Sequence, residues 1–99
     1  MSEKESKIAR LHAIVEGRVQ GVNFRYFVEE TAIKLGLKGW VRNRWDGTVE
    51  VVAEGEQESL KKLLASLHRG PRASNVTNVE PSWQPATGEF TGFQIRLTR

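Results

Sequence analysis

A chain of 99 residues has room for one compact domain, and its 38% hydrophobic and 27% charged residues are ordinary globular usage, which disfavours disorder and a membrane protein. The formal net charge of +3 suits anionic ligands but falls short of a nucleic-acid-binding tail. With no cysteine there is no disulfide framework, no thiolate nucleophile and no thiolate metal site, and no apolar run approaches the roughly 20 residues of a membrane span.

Met1 to Lys7 is polar and charged rather than signal-like, so it is expected to be a flexible tail before a single domain over residues 8–99, in a cytoplasmic protein. From Ile8 to Glu16, the residues Ala9, Leu11, Ala13 and Val15 recur every second position, the period of a strand with one buried face. Between Phe24 and Leu35, Phe24, Phe27, Val28 and Leu35 follow helical spacing, with Glu29, Glu30 and Lys34 between them, and Gly36 is the expected C-terminal cap. Leu37 to Trp45 and Thr48 to Glu54 form a predicted hairpin about Asp46-Gly47, a dipeptide favoured in two-residue turns. A second amphipathic helix runs from Gln57 to His68, with Leu60, Leu63, Leu64 and Leu67 on one side and Lys61 and Lys62 on the other, and Gly70-Pro71 stops it. Val76 to Trp83 and Phe93 to Leu97 read as the last strands, with a turn at Pro85 to Gly88.

The order strand, helix, strand, strand, helix, strand, with an additional strand at the end, is that of an α+β split βαβ or ferredoxin-like sandwich. Two helices then pack on one face of an antiparallel sheet. That fold carries many functions, so the function must be read from a site.

Gly17-Arg18-Val19-Gln20-Gly21-Val22 lies between the first strand and the first helix, where unpaired backbone N–H groups at a helix start converge and suit phosphate oxygens. A plain strand-to-helix turn would look the same, so the loop alone does not decide. Arg25 adds weight: its fork matches two phosphate oxygens, yet a cation in the first turn opposes the helix dipole unless an anion binds there. Asn43 is a second departure, since asparagine is depleted in strands, while its amide can both donate to and accept from a water molecule. A bulge or edge-strand asparagine is the alternative.

Together these residues resemble the acylphosphatase family. The resemblance rests on Gly17 to Val22 with Phe24-Arg25, on Gly36-Leu37 and on Gly39-Trp40-Val41-Arg42-Asn43. It continues through Asp46-Gly47, Val49-Glu50-Val51, Gly70-Pro71, Val76 to Val79 and Phe93-Gln94-Ile95. It implies the ferredoxin-like fold and hydrolysis of an acyl phosphate to a carboxylate and inorganic phosphate, without metal or cofactor. Arg25 would bind phosphate, Asn43 would orient the attacking water, and backbone amides of Arg18, Val19, Gln20, Gly21 and Val22 would complete the cradle. Expected partners are a small acyl phosphate and inorganic phosphate as product and competitive inhibitor, with neither nucleic acid nor membrane, and a monomeric chain. Leu97-Thr98-Arg99 replaces the aromatic often found near the family's C-terminus. No motif marks an acyl pocket, so a small, mostly exposed acyl group is the expectation.

His12 and His68 are expected to be structural, the two histidines being too far apart to suggest a metal site. Trp40, Trp45 and Trp83 are expected to pack, and Arg42 and Arg44 to attract anions or to solvate a strand face. Two rival readings share the fold. An RNA-binding module would stack bases on its sheet, but its strand signature of basic residue, glycine and alternating aromatics is missing. A noncatalytic anion sensor would use the cradle without the water-orienting amide.

Overall fold

The computed structural model describes residues 7–99, so of the expected tail only Lys7 falls within the described residues. The elements follow the expected order: β1 (Ile8–Arg18), α1 (Phe24–Lys34), β2 (Lys38–Asn43), β3 (Val49–Glu56), α2 (Gln57–Arg69), β4 (Asn75–Gln84) and β5 (Phe93–Ile95). The strands form one sheet in the order β4-β1-β3-β2-β5. The first four strands are antiparallel neighbours, as expected, whereas β5 joins parallel to β2 and makes the sheet mixed.

Alternation sets the two faces. Leu11, Ala13 and Val15 of β1, Val49, Val51 and Ala53 of β3 and Val41 of β2 are fully buried in one core with Phe24, Val28 and Ala32 of α1 and Leu60, Leu63 and Leu67 of α2. That core supplies the driving force for folding, since its apolar surface is removed from water on both the sheet and the helix side. Helix α1 lies against β2 and β5, and α2 against β1, β3 and β4.

The opposite face is polar and internally paired. His12 Nε2 and Arg42 Nε both meet the Glu50 carboxylate, at 2.7 Å and 2.8 Å. Burial opposes ionisation of Glu50, but the hydrogen bonds and charges of His12 and Arg42 outweigh it and hold the carboxyl below its usual range. Trp40 lies beneath the guanidinium groups of Arg42 and Arg96, 4.6 Å and 4.9 Å from its ring centroid. His12 and Trp40 are thus structural, as expected. Trp45 is not: it is 83% exposed in the hairpin loop, and Trp83 is partly exposed.

Two local devices position the loop between β1 and α1. A bulge at Glu16/Gly17 shifts the β1–β4 register, so that Glu16 faces Asn78 but Gly17 faces Val76. Gly17 has φ of 121°, and a Cβ there would lie 2.2 Å from the Asn75 carbonyl oxygen, so only glycine fits. At the other end of α1, the N–H groups of Gly36 and Leu37 donate to the carbonyls of Ile33 and Ala32, the paired bonds of a Schellman cap. The β2–β3 hairpin is one residue longer than the two-residue turn expected from Asp46-Gly47. Arg44 N–H donates to Thr48 O and Gly47 N–H to Arg44 O, leaving Trp45, Asp46 and Gly47 in the loop.

At the far end of β3 from that hairpin, Glu54 is buried and fixes the connection between β4 and β5. It accepts from Arg10 Nε at 2.7 Å and from the backbone N–H groups of Thr87 and Gly88, each at 2.9 Å. Burial works against the charge, but these bonds prevail and hold the carboxyl down at about 2.

Candidate active site

The chain leaves β1 at Arg18 and crosses to α1 through Val19, Gln20, Gly21, Val22 and Asn23. Val19 is buried and anchors the loop to the core, as Phe24 does at the helix start. Between them the backbone N–H groups from Val19 to Asn23 make no hydrogen bond within the described residues. Asn23 sits at the N-cap in the left-handed conformation, φ 64°, and its side chain caps nothing. The first turn of α1 also contains no acidic residue. The positive end of the helix dipole is therefore left without a negative charge from the chain.

Arg25, the second residue of α1, adds a full positive charge at that end. No ion pair within the described residues holds it. It lines a pocket of about 170 Å³ together with Val19, Gly21, Asn23, Phe24, Tyr26 and Asn43. The pocket lies where the loop, the start of α1 and the end of β2 meet. Nothing lies within 4 Å of the place a Gly21 Cβ would take, so the backbone there is open to close approach.

Asn43 is the last residue of β2, on the helix-facing side with Val41. Its Oδ1 is buried and has no hydrogen-bond partner among the described residues. An orphaned buried amide oxygen costs about 1–3 kcal/mol, so a polar guest is the expected complement. The backbone around it is firmly held. Arg99 N–H donates to Asn43 O at 3.1 Å and Trp45 N–H to Arg99 O at 3.3 Å, so Arg99 braces the end of β2 through its backbone.

Of the residues expected in the cradle, Val19, Gly21, Arg25 and Asn43 line the pocket. Arg18 is exposed as the last residue of β1, paired with Asn75. Val22 is half-buried and packs against the core. Gln20 faces the hairpin: its Nε2 donates to Arg44 O at 2.7 Å and to Thr48 O at 2.8 Å. Both amide hydrogens are used, which ties the loop to the residue that follows Asn43. This link joins positions 24 and 28 residues apart and has no signature in sequence spacing. The contributions of Asn23 and Tyr26 were also not read from the sequence, although an asparagine directly before a helix is a familiar capping signal.

A family model described as acylphosphatase matches residues 11–95. The chain belongs to the acylphosphatase family. Curated relatives named acylphosphatase include one from Pelotomaculum thermopropionicum, 52% identical over 88% of this chain and 95% of its own length. Another, from Koribacter versatilis, is 61% identical over 86% of this chain and 77% of its own length. The crystal structure of acylphosphatase from Bacillus subtilis superposes with a TM-score of 0.86 at 40% identity, covering 89% of this chain and 98% of that one. The resemblance read from the motifs and the ferredoxin-like fold expected from the element order both hold.

Among the described residues no helix is long and apolar enough to cross a membrane, and no group of three or more His, Cys, Asp or Glu side chains could hold a metal ion.

Proposed function

We propose that residues 8–99 act as a single catalytic unit that hydrolyses acyl phosphates, with phosphate held by Arg25 and the loop amides and the attacking water placed by Asn43. The observation that carries this reading is the buried, unpartnered Asn43 Oδ1 in the same pocket as an unpaired Arg25. A noncatalytic anion sensor would need the arginine but not the amide.

The chemistry asks little of the protein. The leaving group is a carboxylate, a weak base that departs with the electron pair of the broken P–O bond and needs no general acid. In a loose phosphoryl-transfer transition state, catalysis is positioning plus stabilisation of charge on the phosphate oxygens. The guanidinium of Arg25 binds two of the three equatorial oxygens, and the free N–H groups from Val19 to Asn23 meet the third and share the charge of the other two. Water accepts a hydrogen bond from the Asn43 amide or donates to it and attacks phosphorus in line. Asparagine cannot accept the proton, which passes to a phosphate oxygen or to solvent. The products are carboxylate and inorganic phosphate, and the phosphate competes with substrate for the same pocket.

Arginine, helix dipole and amides supply the positive field, so the mechanism uses neither metal nor cofactor. The chain acts as a monomer in the cytoplasm. Trp40, buried beneath two arginines on the open sheet face, is not presented for base stacking, which weighs against RNA as partner.

The test is hydrolysis of acetyl and benzoyl phosphate in chelator-treated buffer by the wild type, Arg25→Ala and Asn43→Ala. Turnover by the wild type and its loss in both variants are expected. Phosphate binding without turnover in the wild type would favour the sensor.

A further inference from the structure

A second hollow, of about 420 Å³, opens beside the phosphate pocket and is lined by Asn23, Tyr26, Phe27, Glu30 and Pro71. Asn23 and Tyr26 line both hollows, whereas Asn43 lines only the first. If water attacks from Asn43, in-line displacement requires the acyl oxygen to leave on the opposite side of phosphorus. Asn23 and Tyr26, which line both hollows, join the phosphate pocket to Phe27, Glu30 and Pro71, and Asn43 has no part in that second wall.

We propose that this shelf is the acyl-group subsite and that it selects uncharged aromatic or branched apolar acyl phosphates over small or anionic ones. The proposal rests on the hydrolytic reading above. It replaces the expectation of an unrecognised, mostly exposed acyl group.

Three observations support the choice of ligand. Tyr26 is 64% exposed, so its ring contributes little to the core and is available to a ligand, whereas Phe27 beside it packs partly into the core and meets Phe24 edge to face. Pro71 adds an apolar ring whose backbone has no N–H to satisfy, so the shelf is walled by two aromatics and a proline. Glu30, one turn beyond Tyr26 on the same side of α1, is the only charged residue lining it. Its carboxylate lies 3.6 Å from Lys34, and both side chains are largely exposed, so its repulsion of an anionic acyl group is partial and screened.

The experiment compares kcat/KM for benzoyl, acetyl and succinyl phosphate in the wild type, Tyr26→Ala, Tyr26→Phe and Glu30→Gln. Tyr26→Ala should lower the benzoyl-to-acetyl ratio about tenfold, the upper range for loss of one aromatic contact, and Tyr26→Phe should retain the ratio because the ring carries the effect. Glu30→Gln should raise the succinyl-to-acetyl ratio about threefold, in keeping with a screened surface charge. A benzoyl-to-acetyl ratio in Tyr26→Ala equal to that of an active wild type overturns the subsite while leaving hydrolysis standing. A wild type that hydrolyses none of the three overturns both.

Discussion

Two loops of the molecule gather donors of similar chemistry, one set paired by the chain's own carboxylate and the other left without a partner among the described residues. At one end of β3, the Glu54 carboxylate receives the backbone N–H groups of Thr87 and Gly88 and the guanidinium of Arg10. Beyond the other end, the loop before α1 presents free N–H groups, and Arg25 stands unpaired beside the orphaned Asn43 oxygen. Both combine loop amides with an arginine. The chain pairs the first with its own carboxylate and gains structure, whereas in the second it sets donors, a charge and a buried acceptor side by side without pairing them among the described residues.

That difference can be broken from the unpaired side first. Arg25→Ala should lower kcat/KM about 10²–10³-fold, the usual loss for a preorganised charge-stabilising group, and should weaken inhibition by inorganic phosphate. Its melting temperature should hold or rise, because removing a cation from a helix N-terminus relieves about 0.3–1 kcal/mol of unfavourable dipole interaction. Arg25→Lys should not restore activity, since an ammonium group cannot grip two oxygens at once. A variant that loses activity only because it unfolds would contradict the contrast between the two loops.

Gln20→Ala should have a smaller effect, with kcat lowered about tenfold, because its amide fixes the distance between the loop and the hairpin that follows Asn43. In an Asn43→Ala background, the same change should cost almost nothing further, since Gln20 would act through Asn43. Equal losses in the two backgrounds would place Gln20 elsewhere in the mechanism. Steady-state kinetics on the four proteins of that cycle provide the check.

On the paired side, Glu54→Gln should leave kcat/KM nearly unchanged at a temperature where the protein is folded, yet cost about 2 kcal/mol in denaturant unfolding by taking the carboxylate charge from Arg10 and two backbone N–H groups, while Arg10 keeps Glu89 at 3.3 Å. The wild type carries a matching pH signature. The Glu54 carboxyl is lowered from 4.5 to about 2 on folding, so its contribution is fully present above the unfolded value and is lost as pH falls through the folded one. Urea midpoints should fall between about pH 4.5 and 2 in the wild type and more gently in Glu54→Gln.

The fold was legible where one face of an element is buried. Leu11, Ala13 and Val15 mark β1 by alternation, and Leu60, Leu63 and Leu67 mark α2 by helical spacing. The parallel addition of β5 to β2 was not, because pairing between distant strands leaves no local pattern. Nor was the third residue of the hairpin loop, since Asp46-Gly47 suits more than one turn length. In the site, Arg25 and Asn43 were visible because each contradicts the preference of its own element. Gln20 and Glu54 contradict nothing locally, and their partners lie 24 or more residues away, so their roles emerge only when the chain is folded.

In the proposed mechanism Asn43 serves the water and Arg25 the phosphate. The division of labour is checked by measuring, in Asn43→Ala, both kcat with benzoyl phosphate and the inhibition constant of inorganic phosphate. The kcat should be about 10²-fold lower, with the inhibition constant within about threefold of the wild type. Undiminished kcat, or phosphate binding lost in parallel with turnover, would contradict it.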